Sequence, residues 1–513
     1  MIVDGTLKSS ADVAGRKAAL DKDLQKIERM ETATRTIARS LLAPGLALAS
    51  LALSAVLASL QIGGQHSTVL LVVAAVLAGY MALNIGANDV ANNVGPAVGA
   101  RALTMRGALV IAAIFECLGA LIAGGDVVQT ISKGIIDPAH VGNSQSFIGA
   151  MMAALVASAV WVNLATWIGA PVSTTHAVVG GVVGAGIAAA GFGVVNWPIM
   201  GAIAASWIIS PILGGAIAAG FLAIIKRQII YQDDKIAAAN LWVPFLIAIM
   251  VAAFTAYLMM KGLTQIWRPS ATTIAIASGL VFVVALAILR PLVRRQSRGL
   301  ENRNQSLRKL FHMPLICSAA LLSFAHGAND VANAVGPLAG ILHSAESGSV
   351  AGNVNLPLWI MLIGAGGISL GLFLFGPRLI RTVGEQITRM NPMRAFCVAL
   401  AAAITVIVAS AFGLPVSSTH IAVGAVFGVG FFREYYTTHS RRRRSYMARK
   451  GIKPDQRGAE LGPATTITAQ DLIRRKLVRR SHFTIIIAAW VVTVPAAALL
   501  AYFLYWLLKA TGL

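Results

Sequence analysis

Long apolar runs recur along this chain, among them Ala43 to Leu60, Val69 to Leu83 and Leu358 to Phe375. About 20 apolar residues in a helix match the hydrocarbon thickness of a bilayer. A segment in lipid must also satisfy its backbone hydrogen bonds internally. So many runs imply an all-α, polytopic membrane protein; a β-barrel would show short alternating segments instead. With 57% hydrophobic and 12% charged residues, nothing resembles a soluble core. About eleven to thirteen transmembrane segments are expected, some of them half-spans or re-entrant hairpins. The candidates include Val172 to Ala190, Pro314 to His326 and Val416 to Phe431.

The net charge of +22 sits in hydrophilic gaps. One runs from Arg290 to Lys309; another, from Arg433 to Arg480, holds Arg441, Arg442, Arg443 and Arg444 in a row. Cytoplasmic loops of membrane proteins are enriched in Lys and Arg, and such loops can rest on anionic lipid headgroups. The expected partner is therefore the lipid bilayer, with no nucleic acid. Starting with the amino terminus in the cytoplasm puts the basic loops inside, as for a multi-pass protein of the plasma (inner) membrane. Residues 1–40 are polar, lack the layout of a signal peptide, and are expected to form a cytoplasmic tail. Cys117, Cys317 and Cys397 lie in apolar stretches without metal-type spacing and are read as reduced packing residues.

One phrase occurs twice, 241 positions apart: GANDVANNVGP from Gly86 to Pro96 and GANDVANAVGP from Gly327 to Pro337. They differ only at Asn93 against Ala334. A second pair follows: GAPVSTTHAVVG from Gly169 and GLPVSSTHIAVG from Gly413. The chain is thus a duplicated unit. The expected layout is a first transmembrane half at 41–225, linking spans and a basic loop at 226–311, and a second half at 312–432. An Arg-rich loop at 433–482 and a final helix at 483–513 complete it. Seven candidate spans separate the two Asn-Asp phrases, and an odd number inverts the second copy. Inverted repeats with broken helices are a common plan of secondary transporters.

Polar and ionisable groups inside a membrane are costly and usually functional. Asn88, Asp89 and Asn92, with Asn329, Asp330 and Asn333, offer hard oxygen ligands suited to Na⁺ or to holding a proton. Gly86, Gly95 and Pro96 permit a helix break that would free carbonyls to join them. The competing reading is a polar network that glues helices together. Ser173, Thr174 and Thr175, with Ser417, Ser418 and Thr419, follow Pro171 and Pro415 at two expected helix starts. Such starts carry free N–H groups and a partial positive charge, which suit an anion; ordinary capping is the alternative. His176 and His420 can shuttle protons or act as buried neutral donors. Glu116 is a lone acid in an apolar span and a proton or coupling candidate. Asp126 and Lys133 are expected at an interface, and Arg378, Arg381 and Arg394 as topology anchors.

These doubled motifs resemble the inorganic phosphate transporter family, which includes sulfate permeases. The resemblance covers about Val69 to Gly430. It implies symport of phosphate with Na⁺ or H⁺, with Asp89, Asp330 and neighbouring Asn residues serving the cation and the Ser/Thr runs contacting phosphate. Some members are thought to take a neutral metal–phosphate complex. Glu116 matches a family acid, whereas Ala399 takes the place of a second glutamate often found before the second Ser-Thr-His phrase.

The cation has a physical rationale. Moving one charge through 100 mV involves about 2.3 kcal/mol, so a divalent phosphate entering a negative interior alone faces roughly twice that. Two accompanying cations make the step electroneutral. Acids near the anion favour phosphate, which carries a proton to donate, over sulfate, which does not. The expectation is a phosphate importer working by alternating access, not an enzyme, with no cofactor beyond the coupling ion and no bound metal. A homodimer is left open. The alternatives are a sulfate or other oxyanion permease, an anion channel or membrane scaffold, and, more remotely, an intramembrane hydrolase. The last lacks a His-Glu-x-x-His motif and a Gly-x-Ser-x-Gly turn.

Overall fold

The apolar runs are helices. The computed structural model describes residues 41–62, 68–136, 140–168, 172–262, 269–347, 356–381, 390–449 and 480–511. In chain order they form α1 (Leu41–Gln61), α2 (Thr68–Asn88), α3 (Val90–Gly99), α4 (Met105–Ala123) and the short α5 (Gly125–Gln129). Then come α6 (Ser144–Ile168), α7 (Thr174–Ala190), α8 (Trp197–Ile225), α9 (Lys235–Tyr257), α10 (Ala271–Ser297) and α11 (Asn304–Leu310). The rest are α12 (His312–Ser347), α13 (Leu358–Arg381), α14 (Pro392–Ala411), α15 (Ser418–His439), α16 (Arg441–Arg449) and α17 (Arg480–Ala510). Among the described residues, eleven helices are long and apolar enough to cross a membrane. Side-chain caps set several starts: Thr104, Ser173, Asn196, Asp234, Ser270, Asn391 and Ser417 each accept a backbone N–H. On α10, Ile276, Leu280, Val283 and Ile288 are exposed, an unbroken apolar surface of the kind lipid covers.

Two compact units divide the chain, Met1–Ala52 and Leu53–Leu513. Of the first, only the start of α1 is described. The duplication governs the second. A Cβ on Gly86 of α2 would collide with the Ile368 carbonyl of α13, and one on Gly371 of α13 with the Leu83 carbonyl of α2. The other half repeats this: Gly327 of α12 abuts the Glu116 carbonyl of α4, and Gly119 of α4 abuts the Phe324 carbonyl of α12. Each motif helix therefore packs against the other repeat's next helix. Later helices exchange in the same way. Gly180 and Gly184 of α7 meet Val494 and Ala498 of α17, while Gly424 and Gly428 of α15 meet Pro211 and Gly215 of α8. Small residues let these backbones touch.

The same pairs give direction. Contact positions rise together, so α7 is parallel to α17 and α15 to α8. Trp207 of α8 meets His176 at the start of α7, so the chain reverses through 191–196 and α7 and α15 run opposite ways. The repeat is inverted.

Two sequence expectations change. No wide break opens at the Gly and Pro residues of the Asn-Asp phrases. α12 runs unbroken through Pro337, and α2–α3 is interrupted only at Asp89, whose backbone stays helical. Proline removes a single donor, so Pro96 and Pro337 strip the usual helical partner only from the carbonyls of Asn92 and Asn333. The run expected to end at His326 therefore continues to Ser347. Pro171, the amino-terminal tail and most of the loop after Arg449 lie outside the described residues.

Candidate functional site

The four doubled phrases converge. Asn88, Asp89 and Asn92 on α2–α3 are buried, as are Asn329, Asp330 and Asn333 on α12. The hydroxyl runs at the starts of α7 and α15 are buried with them. Within the first repeat, Thr174 Oγ1 donates to Asp89 Oδ2 at 2.5 Å. Its counterpart in the second is Ser418 Oγ, donating to Asp330 Oδ2 at 3.3 Å. Between repeats, Asn92 Nδ2 donates to Thr419 Oγ1 at 2.9 Å and Asn333 Nδ2 to Thr175 Oγ1 at 3.1 Å. Thr419 Oγ1 also donates to Asp89 Oδ1 at 3.1 Å, so one carboxylate holds hydroxyls from both repeats. The outer amides tie α2 to α6 and α12 to α14: Asn88 to Thr166 at 2.9 Å, Asn329 to Ser410 at 2.8 Å. Glue and site are thus one network, whose amides brace the helices while its acids face the hydroxyls.

Ser173 and Ser417 hold a second position. Their hydroxyls accept the backbone N–H of His176 at 3.1 Å and of His420 at 3.3 Å. They are N-caps that fix the first turns, and each keeps its own hydrogen to donate. The His176 and His420 rings meet edge to face, centroids 4.3 Å apart, and Trp207 packs on His176 at 3.8 Å. The imidazoles form the contact between the two hydroxyl-bearing helices.

A charged branch leaves this symmetric core. His326 Nδ1 lies 2.7 Å from Glu116 Oε2, and its Nε2 lies 2.7 Å from Asp330 Oδ2. The second contact is off the line a hydrogen bond prefers. Asn93 Nδ2 donates to Glu116 Oε1 at 2.8 Å. Asp89, His326 and Asp330 each offer a ligand atom, all within 4.8 Å of one another. Asp330 Oδ1 and Asn333 Oδ1 are buried without a hydrogen-bond partner. Buried polar atoms are normally satisfied, so these oxygens fit a small hard cation.

None of the branch is repeated. The glycine contacts pair Glu116 with Ile368, and the 241-residue spacing pairs His326 with Ile85 and Asn93 with Ala334. His326 was missed by matching identical positions. Its signal lies in the mismatches, where one half is polar and the other apolar. Ala399 is buried on α14 and is not the partner of Glu116 in the repeat. Asp126 pairs with Lys261 at 2.5 Å, partly exposed as an interfacial pair would be.

An inverted helical repeat whose motif helices meet at a buried acid, amide and hydroxyl site defines a multi-pass transporter. Residues 85–501 match the model of the Phosphate transporter family. A Helicobacter pylori protein named "Putative phosphate permease" is 45% identical over 523 residues, covering 94% of this chain and 98% of its own. A Chlamydia muridarum protein of the same name is 42% identical, covering 71% and 90%. A solved structure titled "The sodium-dependent phosphate transporter" superposes with a TM-score of 0.74 at 33% identity, over 86% of this chain and 99% of that one. The chain belongs to the Phosphate transporter family.

Proposed function

We propose that the protein is a secondary active symporter that imports inorganic phosphate with a cation by alternating access. One observation carries the reading: Asp89 is clasped by Thr174 of its own repeat and Thr419 of the other. Cation ligands and hydroxyls from both halves therefore share a wall. A cation bound at Asp89 and Asp330 offsets the two acids and turns the hydroxyls toward an anion. Rocking one repeat against the other would open that wall to either side of the membrane.

Na⁺ is the leading coupling ion, supported by the unpartnered oxygens of Asp330 and Asn333 and by the sodium-dependent relative. H⁺ is a second reading, favoured by one observation: His326 stands between two carboxylates. Phosphate is preferred to sulfate because its proton can be donated to these acids. The basic connections support a plasma (inner) membrane setting with the amino terminus in the cytoplasm.

The test is flux. Purified full-length protein in liposomes is given labelled phosphate or sulfate under imposed Na⁺, H⁺ and electrical gradients. Expected is phosphate uptake driven by a Na⁺ gradient, with sulfate competing weakly. Uptake that follows only the phosphate and electrical gradients, indifferent to Na⁺ and H⁺, would mean a channel and overturn the symport reading.

A further inference from the structure

A second polar feature lies outside the central site. A cavity of about 820 Å³ opens at the end of the bundle where α3 stops and α12 and α14 begin. Arg101, Arg308, His312, Arg381 and Arg394 line it, from four separate stretches of chain. No carboxylate is among its described lining residues. Four guanidiniums gathered this way repel one another unless an anion joins them. Topology anchoring explains basic residues at a membrane face, but not their convergence on one cavity.

Two details show that the arginines are placed. Arg101 is the only described non-glycine residue with positive φ, 58°. It follows the last turn of α3, the position where a left-handed residue is usually Gly or Asn. An arginine there strains the backbone where glycine would not. Arg394 is steered by Asn391, whose Oδ1 accepts its Nε at 3.2 Å and its backbone N–H at 3.0 Å. A guanidinium fork held this way suits the oxygens of a phosphoryl group.

We propose that this cavity is an anion vestibule that binds a phosphoryl group and serves the central site. α3 joins the two: Asn92 faces the acid cluster and Gly99 the cavity, roughly 10 Å of helix apart. The cavity adjoins the basic connection 290–311, so it lies on the face where imported phosphate would leave. Two sources share the chemistry: inorganic phosphate in transit, and the headgroup of an anionic phospholipid. The role in transit rests on the import reading above; the binding itself does not.

The experiment uses full-length protein in phosphatidylcholine nanodiscs, titrated with labelled inorganic phosphate at several salt concentrations. The wild type should show a second, weaker, salt-sensitive class of sites beside the central one. Arg101→Gly and Arg381→Gln should each weaken only that class, by about fivefold or more. Arg101→Gly should also melt no lower than the wild type, since it removes strain. A parallel titration in discs containing phosphatidylglycerol separates the sources. Loss of the second class there, where the lipid competes for the same guanidiniums, assigns the grip to headgroups; persistence assigns it to free phosphate. A single class of sites in both lipids, or a second class unmoved by both substitutions, overturns the vestibule. Loss of the central class alone would instead count against the import reading.

Discussion

Glu116 and His326 lie 210 residues apart in sequence, yet Oε2 and Nδ1 meet at 2.7 Å, with both side chains sealed from solvent. A neutral imidazole carries one N–H and an imidazolium two. With carboxylates on both sides, the ring can satisfy both only by holding an extra proton or by sharing one with an acid. The branch is thus equipped to move a proton between Glu116 and Asp330. Glu116→Gln keeps the shape and removes the acid. It should abolish any uptake driven by a pH gradient in liposomes and leave the fold intact by circular dichroism. Equal responses of mutant and wild type to that gradient would take the branch out of coupling.

Asp89 and Asp330 occupy equivalent positions with different company. Asp89 holds two hydroxyls, one from each repeat, whereas Asp330 holds Ser418 and faces His326. A hydrogen bond to a charged group contributes about 1.5–3 kcal/mol, Asp89 accepts two, and each 1.4 kcal/mol is tenfold. Asp89→Asn should therefore lower coupled uptake by about 100-fold or more. Asp330→Asn should be similarly slow, and should also remove the pH response that passes through His326. Uptake rates at two pH values under a fixed Na⁺ gradient distinguish the two variants; normal coupled uptake in both would remove the acids from the mechanism.

Much of this site is legible in the sequence. Repetition marked Asp89, Asp330 and their amides, and the hydroxyl runs marked the two helix starts that meet them. Cross-repeat pairs such as Asn92 with Thr419 were not legible, because they depend on how the inverted halves dock. His326 escaped for another reason. A repeat comparison rewards sameness, while this histidine, Glu116 and Asn93 gain meaning from apolar counterparts at Ile85, Ile368 and Ala334. The expected helix break failed because Gly86 and Gly327 serve close packing. Their missing side chains admit a neighbouring carbonyl and leave the helix intact.

That packing is itself testable. A methyl group at Gly184 would overlap the backbone of Ala498, and one at Gly428 the backbone of Gly215. Backbone cannot rotate aside as a side chain can. Gly184→Ala and Gly428→Ala should each destabilise by about 1–3 kcal/mol or more. Gly220→Ala, on α8 with nothing within 4 Å, is the control and should be neutral or slightly stabilising. Thermal melting in detergent reads all three, and equal melting points would contradict the exchange of helices between repeats.

Inversion makes the sharpest demand on topology. α7 and α15 begin side by side at the central site, with Thr175 Oγ1 donating to the Val416 carbonyl at 3.1 Å. Because they run opposite ways, their far ends must emerge on opposite faces. Gly193 follows α7 in a connection with open space around it, and Ser440 follows α15. In a background with Cys117, Cys317 and Cys397 replaced by serine or alanine, single cysteines at these two positions should respond differently to an impermeant maleimide. In sealed right-side-out vesicles, Gly193→Cys should label and Ser440→Cys should not until the membrane is permeabilised. The expected sidedness rests on α16, whose four consecutive arginines favour the cytoplasmic face at the end of α15. Labelling of both from one face would mean that the halves are parallel. Two hydroxyl-bearing helix starts could not then face each other across the acids, and the shared wall at Asp89 would lose its geometric basis.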